Sequence, residues 1–551
     1  ETDSPASPHG DSSEVDDNDE EDHRFYGDGF SDQQREILDF RALHGAVLSD
    51  ETDPELTLPA IRRLTLQLER AINKNQELRA RYPDTPAKFM ESEIDLEHTL
   101  HRFVNLSQAP QQFTELAQLD TIPLLLSQLS HENTDVAAIV VEVFNEWTDE
   151  ETVFNAIPVI SGEELDQEAI HTLVEQERAT AALIEAVNTM VGAFISNQGL
   201  ELVVQNLGRL QDDRPEDQAA IFQTLGLIEH LTELRTTYVT ELVERTAILS
   251  WLLNVIAAGQ FSSNLQYASE ILVIILQGSP SNQIRLGALG GIDTILQALS
   301  VYRQRDPDSG DEIEYMENLF DILCLMIGEP ELKLQFLKNE GVELMILMLK
   351  AKLLSRSRAL KVLNFATCTN HFVSKLIAQK FIEESGLVPI MKVFMKKVGI
   401  ALHSPHVEHT ISVIASLLKH TEPATPDRWR VVNQFPDSGY ERVDRLVELH
   451  MTYTDRLQPV EAEIAAEREA LNMEDAYEEE YTEERFYTRR LTEGLFVVHM
   501  TDLVLVYLAS EAPRIKQHAT MLLKRYGRQW ADVCHNVEGK SQRLPNWRGE
   551  Y

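Results

Sequence analysis

The chain has 551 residues, with 49 Lys plus Arg against 90 Asp plus Glu, a net charge of 49 − 90 = −41. A surface this negative repels phosphate backbones, which excludes direct DNA binding by the body of the protein, and attracts basic peptides most strongly at low salt. Three scattered cysteines, Cys324, Cys368 and Cys534, offer neither a disulfide framework nor zinc-ligand spacing and fit a reducing compartment, and no unbroken apolar run reads as a membrane span.

In chain order, residues 1–30 are dominated by Asp, Glu, Ser, Gly and Pro, and the stretch 11–22 holds a single aliphatic side chain, Val15. Such a segment buries too little apolar surface to offset chain entropy, so an acidic disordered tail is expected over 1–53. Leu58, Ile61, Leu64, Leu68 and Ile72 then recur at three- and four-residue steps, one face of an amphipathic helix, and 54–118 reads as helical capping. Beyond residue 91 the apolar residues keep a helical period and β-branched alternation is absent. A small or turn residue before an apolar helix start recurs at Thr121, Gly199, Ala247, Gly291, Gly341 and Gly386. From Gly199 the steps are about 48, 44, 50 and 45 residues, close to the period of armadillo or HEAT units. Second helices follow over 136–147, 219–234, 268–276, 316–326 and 359–366, and the glycine inside each pair is expected to supply a positive φ. The expected fold is an all-α armadillo/HEAT-type helical repeat solenoid over 119–421, with a core shared between stacked pairs. An acidic insertion at 157–177 reads as an extra loop or helix. Over 422–551 the rhythm fades into an atypical helical region, with an acidic solvated helix or linker at 460–484 and a basic end carrying Lys524, Arg525, Arg528, Lys540, Arg543 and Arg548.

Catalytic chemistry finds no residues to stand on. His403, His406, Glu408 and His409 offer metal-ligating groups at helical spacing, yet Pro405 interrupts the backbone and the segment reads as a solvated helix start. Residues 285–292 contain Gly287, Gly290 and Gly291 but follow a helix and match no phosphate-loop spacing, so they read as a repeat turn. The chain is expected to be neither an enzyme nor a cofactor or metal binder. Its second helices instead carry acids at four-residue spacing: Glu142 with Glu146, Glu229 with Glu233, Glu270, and Glu317 with Asp321. Where the last helix of each repeat lines a groove, these acids form a ladder for Lys and Arg. Trp147 would sandwich an aliphatic stem there and Asn145 would hold a peptide backbone; the competing reading is a merely solvated acidic face.

Several blocks carry a resemblance, in order along the chain: Pro86-Ala-Lys-Phe-Met-Glu-Ser-Glu-Ile-Asp-Leu96, Leu286-Gly-Ala-Leu-Gly-Gly-Ile-Asp293, Ser355-Arg-Ser-Arg-Ala-Leu-Lys-Val-Leu363 and Phe486-Tyr-Thr-Arg-Arg-Leu491. With them the chain resembles the beta-catenin-like protein 1 family of spliceosome-associated armadillo proteins. The resemblance implies an armadillo core with a helical N-terminal cap, and a nuclear location in association with the nineteen complex of the spliceosome. It also implies binding of basic nuclear-localisation-type segments of a Myb-domain splicing factor. The family is similar to importin-α in reading such segments, but only Trp147 and Asn145 echo a Trp and Asn ladder here. Family members carry a basic localisation segment near the N-terminus; the acidic start has none, which places it upstream of Glu1 or leaves import to a partner. The alternative function, a nuclear import adaptor, calls for a basic autoinhibitory arm that the acidic start does not provide. RNA contact is open only to the basic C-terminal segment, which lacks an aromatic platform beyond Trp530 and Trp547, and a homodimer is left open.

Overall fold

Helix starts are fixed by capping. The hydroxyls of Ser262, Ser309 and Thr425 accept hydrogen bonds from the amides of Leu265, Glu312 and Arg428. Pro215, Pro280, Pro330, Pro426 and Pro513 open helices at positions where no amide donor is needed. The computed structural model describes residues 57–149, 167–396, 405–470 and 476–543; it is helical throughout and, among the described residues, has no strand. The expected acidic tail at 1–53 lies outside the described residues, as does 157–166 of the insertion; the rest of the insertion falls in the helix Gln167–Ser196.

Each clear repeat carries three helices, not the two expected. One set is Pro280–Ala288, Gly291–Leu299 and Gly310–Met326. The short first helix escapes hydrophobic periodicity because its buried face is half polar. Asn282 and Gln283 are buried and donate their side-chain amides to the carbonyls of Ile275 and Leu276, each at 3.0 Å. The glycines also act differently from expectation. Positive φ falls on the residue before, at Gln198 (64°), Gly290 (85°), Glu340 (58°) and Ser385 (62°). Gly199, Gly291, Gly341 and Gly386 instead permit close approach. A Cβ on them would stand 2.6 Å from Phe194, 2.7 Å from Leu286, 2.3 Å from Phe336 and 2.5 Å from Phe381, a spacing no close-packed interior accommodates.

One row of helices, each packed on the next, runs through the body: α1 (Met90–Val104), α2 (Thr134–Thr148), α3 (Pro215–Leu234), α4 (Ser263–Leu276), α5 (Gly310–Met326), α6 (Ser355–Thr367), α7 (Pro405–His420) and α8 (Leu495–Glu511). A single hydrophobic core extends from Ile61 to Val533, as stacking requires when no repeat can cover its own apolar face. Within the helix Gln167–Ser196, the stretch Arg178–Ser196 is long and apolar enough to cross a membrane, with mean hydropathy 1.4. Sequence reading passed over it because Glu185 and Asn188 interrupt the apolar run. Its side chains Val187, Met190, Val191 and Phe194 are buried in the core.

At the C-terminal end, helices Glu441–Ala470 and Ala476–Thr492 run antiparallel, joined by ion pairs. Arg490 meets Glu461 at 2.7 Å, Arg489 meets Glu463 and Glu467 at 2.7 and 2.8 Å, and Arg485 also meets Glu467. The stretch expected to be a solvated acidic linker is therefore partly neutralised by the arginines just beyond it. A buried pair, His450 with Asp502 at 2.7 Å, ties this hairpin to α8.

Candidate functional site: the charged face of the helix row

The acids expected to form a ladder divide into two kinds. On α3, Glu229 accepts a hydrogen bond from the Tyr267 hydroxyl of α4, and Glu233 lies exposed one turn further on. Glu270 of α4 is half-buried, and the amide nitrogen of Gln266 donates to both Glu270 and Glu314 of α5, at 3.3 Å each. Burial, and then the charges of Glu229 and Glu314, push the Glu270 carboxyl up to about 7. Burial and Glu229 likewise push the Tyr267 phenol up. Three helices thus crowd carboxylates around one half-buried group, an arrangement that like-charge repulsion disfavours and a cation relieves.

Sequence reasoning missed Glu314. It stands three residues before Glu317, in the stripe Glu314, Glu317, Asn318 and Asp321, and that spacing alone could have revealed it.

Glu317 and Asp321 belong to the other kind. Glu317 pairs with Arg358 at 2.9 Å and Asp321 with Lys361 at 2.7 Å, both partners on α6. These two acids are neutralised inside the fold and are not part of a ladder for an external cation. The bases that do this lie in the block Ser355-Arg-Ser-Arg-Ala-Leu-Lys361.

On α2 the outcome is mixed. Glu142 and Glu146 are half-buried on one face. Trp147 is fully buried: its indole N–H donates to the Phe103 carbonyl at 2.9 Å, and its ring packs on Phe113 with centroids 5.1 Å apart. It cannot sandwich a partner's aliphatic stem. The reason is helical phase, since Val143 and Phe144, four and three residues earlier, are also core residues. Asn145 donates its amide to Gln223 of α3 at 2.6 Å, while its buried oxygen has no hydrogen-bond partner among the described residues. Its amide clamps two helices together.

Past α5 the row changes sign on α6, which carries Arg356, Arg358 and Lys361; α7 follows with His406 and His409. His409 is not solvated at a helix start as expected. Burial, then Lys361, His406 and Arg358, push its imidazole down to about 4, and the Asn364 amide lies 3.1 Å from its Nδ1. His403 lies outside the described residues, and among those described no group of three His, Cys, Asp or Glu side chains could hold a metal ion. At the basic C-terminal end, Lys516 sits over the Trp530 ring at 5.6 Å, while Trp547 and Arg548 lie outside the described residues.

The sequence matches the profile of the family described as "Catenin-beta-like, Arm-motif containing nuclear" over residues 37–538. Beta-catenin-like protein 1 of Homo sapiens is 35% identical over 497 residues, covering 89% of this chain and 82% of that protein. The beta-catenin-like protein 1 homolog of Schizosaccharomyces pombe is 31% identical over 531 residues, covering 96% and 85%. The chain belongs to this family.

A catenin-beta-like armadillo stack is an interaction architecture, and its chemistry here matches that role. Burial pushes the Cys324 thiol up to about 12 and the Cys368 thiol up as well, so neither is an activated nucleophile. What the row offers is charge in two blocks, acidic on α3 to α5 and basic on α6.

Proposed function

We propose that the protein is a non-enzymatic nuclear scaffold that docks Lys- and Arg-rich segments of partner proteins on the acidic block, within pre-mRNA splicing assemblies. The observation that carries this reading is Glu270, a half-buried carboxyl raised to about 7 between Glu229 and Glu314. A lysine or arginine placed there restores ionisation and gains charge-assisted hydrogen bonds in a partly desolvated site. Membership of a family described as nuclear, together with the resemblance to spliceosome-associated proteins, supports splicing factors as partners, a Myb-domain factor with basic segments being the first to test. Glu142, Glu146 and Glu233 would extend the contact along the row.

The test is a fluorescence-anisotropy titration with basic peptides from such a factor at low and physiological salt, repeated with Glu229→Gln and Glu270→Gln combined. The expected outcome is affinity that falls with salt and drops at least about tenfold in the variant, since two charge-assisted contacts are worth about 1.5–3 kcal/mol each. Unchanged affinity in a folded variant would move the site elsewhere.

A further inference from the structure

The basic block ends in a pocket where the armadillo array meets the C-terminal helices. Arg356 of α6, Lys396, His406 of α7, and Arg445 of the helix Glu441–Ala470 line it, together with apolar Phe394 and Leu449. No acidic side chain among the described residues lines this pocket. Its volume is about 60 Å³, several times the roughly 10–15 Å³ that admits one water.

The two arginines are held in place before any ligand arrives. Arg356 donates its Nε–H to the Ala351 carbonyl at 2.6 Å, and burial is the sole influence that lowers its guanidinium from the ordinary value. Arg445 is largely buried and turns one terminal nitrogen to Glu448 at 3.0 Å, while its Nε–H finds no acceptor among the described residues. Lys396 is exposed at the rim. Glu448, the partner of Arg445, flanks the pocket without entering its wall.

We infer that this pocket receives a phosphorylated serine or threonine side chain of a partner protein, as a second docking point of opposite polarity to the acidic block. Glu448 already balances Arg445 in part, so the charge left to meet is that of Arg356 and Lys396; a single carboxylate covers only one of these, whereas a phosphate carries about −1.5 to −2 charges and three acceptor oxygens. Planar guanidinium forks match a phosphate's oxygens, and the apolar wall at Phe394 and Leu449 suits the carbon stem of a peptide residue. The site lies on the same helix row as the acidic block, so one partner bearing a basic stretch and a phosphorylated residue can engage both.

The test uses the full chain and a fluorescent alanine-glycine decapeptide carrying one central phosphoserine. Its unphosphorylated twin, a glutamate version and a single-stranded RNA oligonucleotide are titrated in parallel. The phosphopeptide is expected to bind at least about tenfold tighter than the twin. That preference should be lost in Arg356→Gln and in Lys396→Gln, and kept in the Glu229→Gln, Glu270→Gln double variant. The exposed Lys396 guards against misfolding as the cause, with circular dichroism confirming the helical content. Equal binding of phosphorylated and plain peptide, or a preference that survives both substitutions, overturns the inference, and RNA binding tighter than the phosphopeptide overturns the choice of ligand. Retention of the phosphopeptide by the double variant separates this outcome from failure of the acidic docking face.

Discussion

The two blocks of the helix row share one scaffold and differ in how their charge is balanced. On α3 to α5, Glu229 and Glu270 are met by neutral donors, the Tyr267 hydroxyl and the Gln266 amide, and Glu270 bears the consequence in its raised affinity for a proton. Across α5 and α6, Glu317 and Asp321 are met by Arg358 and Lys361 at ion-pair distance. Carboxylates stand in both blocks; what the next helix sets against them differs. A carboxylate on a repeat face is therefore available or spent according to its neighbour one repeat on, about 45 residues away in sequence.

The largest expected effect concerns the scaffold beneath both blocks. Trp147→Ala should lower stability by about 3–5 kcal/mol, the usual penalty for emptying a buried aromatic site, read as a shifted denaturation midpoint. In protein that remains folded, basic-peptide affinity should stay within about twofold. Affinity that collapses while the fold persists would return Trp147 to the binding face.

The next effect inverts the acidic block itself. Glu229→Lys with Glu270→Lys places two cations where a third is expected to dock, and should weaken a basic peptide by at least about a hundredfold, since each step of about 1.4 kcal/mol is tenfold. The phosphopeptide should be unaffected. If the basic peptide still binds, the difference between the two blocks has no bearing on recognition.

Much of this was legible in advance and some of it was not, for physical reasons. The repeat steps at Gly199, Gly291, Gly341 and Gly386 gave away the stack, because each glycine answers the same steric demand from a side chain five residues earlier. The short first helices stayed hidden because buried Asn282 and Gln283 break the apolar period. Trp147 is readable from its phase with Val143 and Phe144, a position that outweighs what an aromatic residue type suggests about binding. The pairing of Glu317 with Arg358 joins residues 41 apart (358 − 317), and no local pattern encodes which face of the next repeat a base will take. The pocket at Arg356 and Arg445 is further removed still, since its wall comes from the armadillo array and from a C-terminal helix together.

A smaller effect follows from the protonation of Glu270. Its carboxyl is raised to about 7 in the free protein, and a docked cation should return it toward the ordinary range near 4.5, so docking releases a proton. Between those two values affinity must rise with pH, levelling off above about pH 7.5. From pH 6 to pH 8 the basic peptide should gain up to about tenfold, and Glu270→Gln should flatten the profile. The same shift acts on folding with the opposite sign. A carboxyl whose folded value lies above its unfolded one contributes stability that is present in acid and fades as pH rises through 7. Glu270→Gln should therefore raise the melting temperature at pH 8 and not at pH 5. The gain should be at most on the order of 2–3 kcal/mol.

The smallest expected effect is the sharpest control on the comparison. Glu317→Gln with Asp321→Asn removes two acids that already have partners, at side-chain exposures of 32% and 34%. Part-exposed pairs of this kind contribute about 0–1 kcal/mol each, so the melting temperature should fall by no more than a few degrees. Basic-peptide affinity should change less than about threefold, because the carboxylates lost were not facing an empty place. The substitution also frees Arg358 and Lys361, which makes α6 more positive and should tighten the phosphopeptide slightly. A loss of basic-peptide binding as large as that from Glu229 and Glu270 would mean that Arg358 and Lys361 swing away when a ligand arrives, and that the whole row from α3 to α5 acts as one acidic surface.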